Sequence, residues 1–304
     1  MSVKKQELPR NKRKPGGVNF VLTDRDVEIL KCLARYRYLQ TSQIQRLIFP
    51  ENKSIQSARR RLKILFHNKI VGRIEPFAPI GRGTAEVVYC LDKLGYETLD
   101  AICVEVKAMR KQKQVKYGFL QHAIDVSEFR IHLEIATNQS SSIQLHRFVA
   151  DHELKTTTQE AIGKKRYKLF DSVYHTGSRQ SYTVYPDALI IFRGRGEYEQ
   201  HQKLYFLEID RGTEGMKTIQ EKVIGYSIYQ RENIFKKYGD FADFRVLFQT
   251  TSPKRAANMR KALTNLDGQQ FCWITDVKKV DESSILTGEI WVDHELNRRR
   301  IVKA

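Results

Sequence analysis

Residues 22–91 contain the pattern that most constrains the fold: three amphipathic helical segments followed by two short strand-like runs. Thr23 can cap the first helix with its hydroxyl, and the acidic residues that follow complement the helix dipole. Ser54 can cap the third helix, which we expect to run from there to about Lys69 because apolar residues recur at helical spacing. The two strand-like runs are separated by the turn-rich residues 77–84. This order of elements predicts a winged helix-turn-helix, a fold that presents one helix to the major groove of DNA.

The positive charge of the chain is concentrated in its first part. Residues 1–118 carry 25 Lys and Arg against 11 Asp and Glu, whereas residues 119–304 carry 28 against 24. Such an excess favours a polyanionic partner, either nucleic acid or an acidic membrane face. Because no apolar run is long enough to span a bilayer and no secretory signal is present, we expect no membrane partner. The four cysteines form no C-x-x-C pair, which fits a reducing cytoplasm better than a zinc knuckle.

Polar and basic side chains occupy the predicted third helix at the positions that its apolar stripe leaves open. Gln can pair bidentately with adenine, and Arg with guanine or phosphate. The candidates for DNA contact on this helix are Ser54, Gln56, Ser57, Arg59, Arg60 and Lys63.

Three further polar residues of the winged helix need separate interpretations. Arg61 lies close to the apolar stripe, where it can snorkel instead of contacting DNA. Gln43 on the second helix and Arg82 at the wing tip are candidates to clamp the DNA backbone. The alternative to DNA binding is a winged-helix module that contacts another protein through a basic surface.

Acidic residues in the second half of the chain form another pattern. Pro186-Asp187 opens an apolar strand-like run, and Glu208 and Asp210 lie on a second one about twenty residues later. This pattern resembles the PD-(D/E)XK nuclease signature, in which two carboxylates meet at the ends of adjacent strands. Such oxygens bind Mg²⁺, which activates water. Asp187 and Glu208 are therefore candidate metal ligands, and both join Asp210 as candidate catalytic residues.

The chain departs from that signature where a lysine should follow Glu208 by two positions. Asp210 stands there, and Arg211 follows it. Lys217 or Lys222, on the helix predicted next, can supply an amine from another backbone position, and Lys222 is taken as the catalytic candidate. Two other interpretations stay open: a nuclease fold that is kept without cleavage, and a hydrogen-bonded acidic corner with a structural role.

The order of elements predicts an α+β protein, with an N-terminal winged helix-turn-helix followed by an α/β restriction-endonuclease-like domain built on a mixed sheet. The expected segments are a basic disordered arm at 1–19, the winged helix-turn-helix at 20–104, a linker at 105–117, the nuclease-like domain at 118–280 and a C-terminal tail at 281–304.

Several stretches of this chain are similar to the replication-relaxation family. They are LTDRDVEILKCLARYRYLQTSQIQRLIFP, ARRRLKILFHNKIVGRIEP, VVYCLDKLGYETL, the segment from Gln121 to Asp125, Pro186-Asp187, and FLEIDRGTE, which ends at Glu214. The last string is the most specific of them. The resemblance implies a protein of bacterial plasmids or integrated mobile elements that is associated with plasmid replication and DNA relaxation. It also implies a winged helix joined to a restriction-endonuclease-like domain.

We therefore expect a cytoplasmic, nucleoid- or plasmid-associated protein that binds double-stranded DNA. Its role would be replication, maintenance or mobilisation of a plasmid or integrated mobile element. Replication or relaxosome proteins and a second copy of the chain are the further partners considered. Two alternatives remain: an endonuclease or nickase that uses Asp187 and Glu208 with Mg²⁺ as cofactor, and a winged-helix transcriptional regulator.

Overall fold

The structure is a computed structural model that describes residues 9, 12–52, 54–75, 85–104, 115–150 and 171–302. It is a mixed α+β protein that divides into two compact units, Met1–Ser127 (unit 1) and Glu128–Ala304 (unit 2). Within the ranges described, none of the helices combines the length and the apolar character needed to cross a membrane.

The helices of these ranges are α1 (Asp24–Tyr36), α2 (Thr41–Ile48), α3 (Gln56–His67), α4 (Lys93–Ala101), α5 (Tyr117–Gln139), α6 (Met216–Arg231) and α7 (Pro253–Leu263). The strands are β1 (Leu39–Gln40), β2 (Val71–Ile74), β3 (Val88–Leu91), β4 (Ile143–Ala150), β5 (Asp171–His175), β6 (Gln180–Val184), β7 (Ala188–Gly194), β8 (Gln202–Ile209), β9 (Phe244–Thr250), β10 (Cys272–Asp276), β11 (Trp291–Val292) and β12 (Arg298–Arg299).

Unit 1 begins with three helices packed around an apolar core. Thr23 caps α1 as the sequence predicts, and it exchanges hydrogen bonds with Asp26 in a capping box. Ile29 and Leu30 of α1 and Leu62 of α3 are fully buried, which fixes the face that each helix turns inward. The third helix starts at Gln56, one residue later than the predicted cap at Ser54 implies. The Ser54 hydroxyl accepts a hydrogen bond from the Gln56 amide in the turn before α3.

Unit 1 also contains a small antiparallel sheet in the order β1-β3-β2, in which β1 lies between α1 and α2 in the chain. The strands β2 and β3 lie at the two runs where the sequence predicts the sides of a wing. The predicted wing tip at residues 77–84 lies outside the described residues, and so does Arg82.

The division between the units differs from the predicted linker at 105–117. It falls inside α5, between Ser127 and Glu128. The reason is that Leu120 and Ile124, in the first half of α5, pack with Tyr38 and Val88 of unit 1. That apolar contact joins residues far apart in sequence, so the charged residues before α5 gave no sign of it.

Residues 12–19 also differ from the predicted disordered arm. The Arg13 guanidinium donates to the carbonyl oxygens of Phe66 (2.9 Å) and Val71 (3.1 Å) and pairs with the buried Asp92 carboxylate (2.5 Å). The Lys14 amide donates to Nδ1 of the buried His67 at 3.0 Å. Burial and the neighbouring cations Lys63 and Arg13 lower the pKa of His67, so its ring stays neutral and can accept this bond.

Unit 2 is built on a seven-stranded mixed sheet in the order β12-β11-β10-β9-β8-β7-β4. The strands β8, β9 and β10 run parallel, and the other neighbours are antiparallel. Parallel neighbours need crossover connections, and α6 and α7 lie in the two that follow β8 and β9. The carboxyl ends of the three parallel strands therefore meet at one edge of the sheet, called here the carboxyl edge.

One apolar core joins this sheet to α6 and α7. Phe206 of β8 and Phe248 of β9 are fully buried, and they belong to the same cluster as Val223 of α6 and Met259 of α7. Because side chains alternate along a strand, Glu208 and Asp210 continue from Phe206 on the face that these helices cover. The fold thus brings Glu208 of β8 and Asp210, which directly follows β8, against α6 and α7.

The C-terminal residues differ from the predicted tail at 281–304. The strands β11 and β12 extend the main sheet, and the Trp291 side chain is completely buried, edge-on to Phe129 of α5. Arg299 pairs with the buried Asp293 at 2.6 Å, and Arg300 pairs with Glu289. The basic composition of this segment predicted a solvated end. The buried side chains of Trp291 and Asp293 instead hold the segment in the sheet.

Candidate functional site

The α3 helix turns a polar, basic face toward solvent. Gln56, Arg59, Arg60 and Lys63 stand at positions i, i+3, i+4 and i+7, which lie on one side of a helix. The first three are exposed and Lys63 is half-buried, whereas Leu62 on the other side is fully buried. Ser54 and Ser57, the other predicted DNA contacts of this segment, are exposed as well. These six residues form the α3 surface.

Arg61 lies between these cations in sequence but points the other way. Its guanidinium pairs with the carboxylate of Asp26, which is completely buried, and it donates to the Val21 carbonyl oxygen at 2.6 Å. Burial alone would raise the pKa of Asp26, but the hydrogen bonds from Arg61 and Thr23 outweigh it and lower that pKa. Arg61 therefore holds α3 against the start of α1.

The structure corrects the prediction that Gln43 clamps the DNA backbone. Its side chain is 1% exposed, and the amide is used inside unit 1. Oε1 accepts from the Gln40 amide at 2.9 Å, where it caps α2, and Nε2 donates to the Ile124 carbonyl oxygen at 3.3 Å. Helical spacing leaves Gln43 open on an isolated α2, but the first half of α5 covers it.

The carboxyl edge of unit 2 brings Asp187 and Glu208 together. Asp187 immediately precedes β7, and its amide donates to the Leu207 carbonyl oxygen at 2.9 Å. Its Oδ2 accepts from the Ile209 amide at 2.7 Å, so Asp187 lies across from Glu208 on the neighbouring strand. The local signal for this placement, Pro-Asp at the start of a buried strand, is visible in the sequence.

Glu208 is almost completely buried and has two side-chain donors from α6. Lys222 Nζ lies 3.0 Å from Oε2, and the Tyr226 hydroxyl donates to Oε1 at 2.7 Å. Burial raises the pKa of Glu208 to about 7, and the nearby Asp187 adds to the rise while Lys222 opposes it. A buried glutamate with such neighbours is typical of both functional sites and structural ion pairs.

Lys222 contacts a second carboxylate, because its Nζ lies 2.9 Å from Oε2 of Glu214. Burial alone would lower the pKa of Lys222, but Glu208, Asp187 and Glu214 together raise it. The ammonium group thus stays charged among three carboxylates. We call Asp187, Glu208, Glu214 and Lys222 the carboxylate corner.

Asp210 belongs to a separate ion pair at the same edge. Its carboxylate receives both nitrogens of the Arg255 fork, at 2.8 and 3.0 Å, and the Thr250 hydroxyl at 2.6 Å. Burial would raise the pKa of Asp210, but these donors lower it. Asp210, which stands in place of the signature lysine, therefore binds Arg255 in the first turn of α7. Both of its carboxylate oxygens accept hydrogen bonds.

These carboxylates do not fit a divalent cation as they are arranged. Mg²⁺ takes open oxygen ligands in octahedral geometry. Here both oxygens of Glu208 accept from side chains, and an ammonium group lies among the carboxylates. Across the described ranges, no group of three or more His, Cys, Asp or Glu side chains is arranged to hold a metal ion.

Sequence reasoning did not single out two residues of this edge, Tyr226 and Arg255. Tyr226 stands four residues after Lys222, so helical spacing alone could have placed both on one face of α6. Nothing in the local sequence marks Arg255, because its partner Asp210 is 45 positions away. The exposed Lys217, the other lysine considered in the sequence, lies one turn nearer the start of α6.

This chain is similar to a solved structure only weakly and to a protein family over most of its length. The search of curated proteins found no match. Among solved structures, restriction endonuclease FokI is similar at 15% identity and a TM-score of 0.25, over 85% of this chain. The chain covers 44% of the FokI chain, and a likeness at this TM-score carries no argument about fold or function.

The family comparison covers most of the chain and confirms the resemblance seen in the sequence. The replication-relaxation model matches residues 30–243, a range that runs from α1 to the start of β9 and includes both the α3 surface and the carboxylate corner. The chain belongs to the replication-relaxation family.

Proposed function

We propose that this protein binds double-stranded DNA and acts in the replication, maintenance or mobilisation of a plasmid or integrated mobile element, alongside replication or relaxosome proteins. In this proposal unit 1 is a winged helix-turn-helix, and α3 is its recognition helix. Membership of the replication-relaxation family supports the biological setting, and the geometry of unit 1 supports the contact with DNA.

The observation that carries the proposal is how the arginines of α3 are used. Arg59 and Arg60 are exposed on the same side as Gln56, whereas Arg61 is held by Asp26 on the inner side. Any amphipathic surface helix turns its polar residues outward, but the open side of α3 carries Arg59, Arg60 and Lys63, and no residue of α3 is acidic. Arg and Gln side chains so placed can reach base edges in the major groove, and Lys63 can reach phosphate.

The test is a titration of duplex DNA with wild type and an Arg59→Ala/Arg60→Ala variant at several salt concentrations. If each arginine binds one phosphate, the slope of log affinity against log salt should fall by about 0.9 for each arginine that is replaced. An arginine that binds a base instead should weaken binding to the preferred sequence by about 1–3 kcal/mol when it is replaced.

The matched control is Lys31→Ala, which removes a cation from the surface of α1, where Lys31 pairs with Glu28. We expect its salt slope to equal that of wild type. Equal affinity and slope for the double arginine variant and the control would show that α3 is not the DNA-binding surface.

A second candidate function is a Mg²⁺-dependent endonuclease or nickase, in which Mg²⁺ would have to displace the Lys222 ammonium from the carboxylate corner. The observation that favours it is the convergence of Asp187, Glu208 and Lys222, the three predicted residues that the signature would use. Supercoiled plasmid incubated with wild type and Mg²⁺ or Mn²⁺ tests it, with Asp187→Ala as the comparison. Nicked or linear product that disappears in the variant supports this candidate. Plasmid that stays supercoiled at concentrations that saturate DNA binding rules it out.

A further inference from the structure

The Lys222 ammonium stands where a carboxylate site would hold its cation. It lies 3.0 Å from Glu208 Oε2 and 2.9 Å from Glu214 Oε2, and Asp187 is close enough to act on it electrostatically. The amine is delivered by α6, and about three quarters of the side chain is covered. One nitrogen therefore forms ion pairs with two carboxylates, Glu208 of β8 and Glu214 of the loop before α6.

The rest of the corner is closed by groups of the protein itself. The Tyr226 hydroxyl donates a hydrogen bond to the other oxygen of Glu208, and the Ile209 amide donates to one oxygen of Asp187. The carboxylate that directly follows β8 is already bound, because Arg255 and Thr250 donate to both oxygens of Asp210. A divalent ion would have to displace these donors and leave the lysine charge without its partners, which is costly in a buried place.

We propose that Lys222 is the resident cation of the carboxylate corner and takes the place of a divalent metal ion. The proposal goes beyond DNA binding and is independent of the α3 surface. In this proposal the lysine neutralises the carboxylates that a metal ion would otherwise bridge. The cation is thus a side chain of the protein, and its ion pair with Glu208 joins α6 to β8.

The physical reason is charge balance. Two or three neighbouring carboxylates, of which Glu208 is almost completely buried, repel each other unless a cation is present or some of them are protonated. A lysine supplies one tethered charge and needs no dehydration of an ion from solution. Removing it should leave a cluster of oxygens with no counter-charge, and such a cluster is a ligand set that divalent cations bind.

The experiment measures Mn²⁺ binding and thermal unfolding of the full chain for wild type, Lys222→Met and the control Lys217→Met. We expect no Mn²⁺-dependent change in the Tm of wild type or of the control, whose lysine is exposed on the same helix. The Lys222→Met protein should unfold at a lower temperature, and Mn²⁺ should raise its Tm by several degrees, because a ligand stabilises the state that binds it. Adding Glu208→Gln to Lys222→Met should abolish that rise.

Two results would overturn the proposal. One is a Mn²⁺-dependent rise of the wild-type Tm that Glu208→Gln removes, since the corner would then accept a metal with its lysine present. The other is a folded Lys222→Met protein that gains no Mn²⁺ binding. If Lys222→Met does not fold, wild type and Lys222→Arg decide, because both keep a cation and both should show no Mn²⁺-dependent rise. Titration of duplex DNA with the same proteins reports separately on α3, so failure of this proposal and failure of DNA binding are distinguishable.

Discussion

At the scale of single residues, three successive arginines of α3 have different roles. Arg59 and Arg60 are exposed, while Arg61 neutralises Asp26, the most buried carboxylate of unit 1. Asp26 also closes the capping box of α1 with Thr23, so one side chain links the start of α1 to α3. A buried charge with these donors is stable only when it is ionised and paired.

Replacing Asp26 with Asn should therefore destabilise unit 1 in a pH-dependent way. Its pKa is lowered in the folded protein, so its contribution is fully present above the ordinary value of 3.8 and is lost as the pH falls through the lower folded value. At neutral pH we expect Asp26→Asn to lose about 3–5 kcal/mol in the free energy of unfolding. Denaturant unfolding at a series of pH values measures this loss, which should shrink in acid.

The neighbouring Asp24 provides the control, because it lies exposed in the same first turn. Asp24→Asn should cost no more than about 0.3–1 kcal/mol, the usual size of a charge interaction with the helix dipole. An Asp26→Asn protein as stable as the control at neutral pH would contradict the role given to this ion pair.

At the scale of elements, the last strands of the chain complete the main sheet of unit 2. The strand β11 pairs with β10 and β12 pairs with β11, so the sheet continues past the parallel strands. Trp291 is completely buried in this region, and Ile285 before it is buried as well. These residues make the C-terminal segment part of the core.

Trp291→Ala should accordingly destabilise unit 2 by about 3–5 kcal/mol, the usual cost of removing a large buried aromatic side chain. Chemical denaturation followed by circular dichroism measures the effect, and Arg298→Ala on the exposed β12 is the control. The DNA affinity of the folded variant should stay that of wild type. A Trp291→Ala protein with unchanged stability would mean that residues 281–304 behave as the tail expected from composition.

At the scale of the whole molecule, local patterns predicted most elements and few of the contacts between them. The capping residue Thr23 marks the start of α1, and the two strand-like runs predicted on either side of residues 77–84 contain β2 and β3. Such signals are short in sequence, so the chain itself displays them. The mixed α+β class follows from their order.

The contacts that the sequence did not predict connect distant residues. Gln43 is covered by residue 124, Asp210 is bound by Arg255, and Arg13 reaches Asp92. No periodicity encodes such pairs, because each depends on how elements pack after they form. Apart from Gln43, the DNA contacts and catalytic roles assigned from the sequence stay predictions.

The position of Lys222 determines how reliably the carboxylate corner contains a positive charge. A dissolved cation occupies a carboxylate site only as far as the free metal concentration in the cell allows, and chelators can withdraw it. Lys222, which contacts Glu208 and Glu214, is present in every copy of the protein, so each corner always has one such cation. The charge balance of this corner therefore depends on the gene and not on the metal supply of the cell.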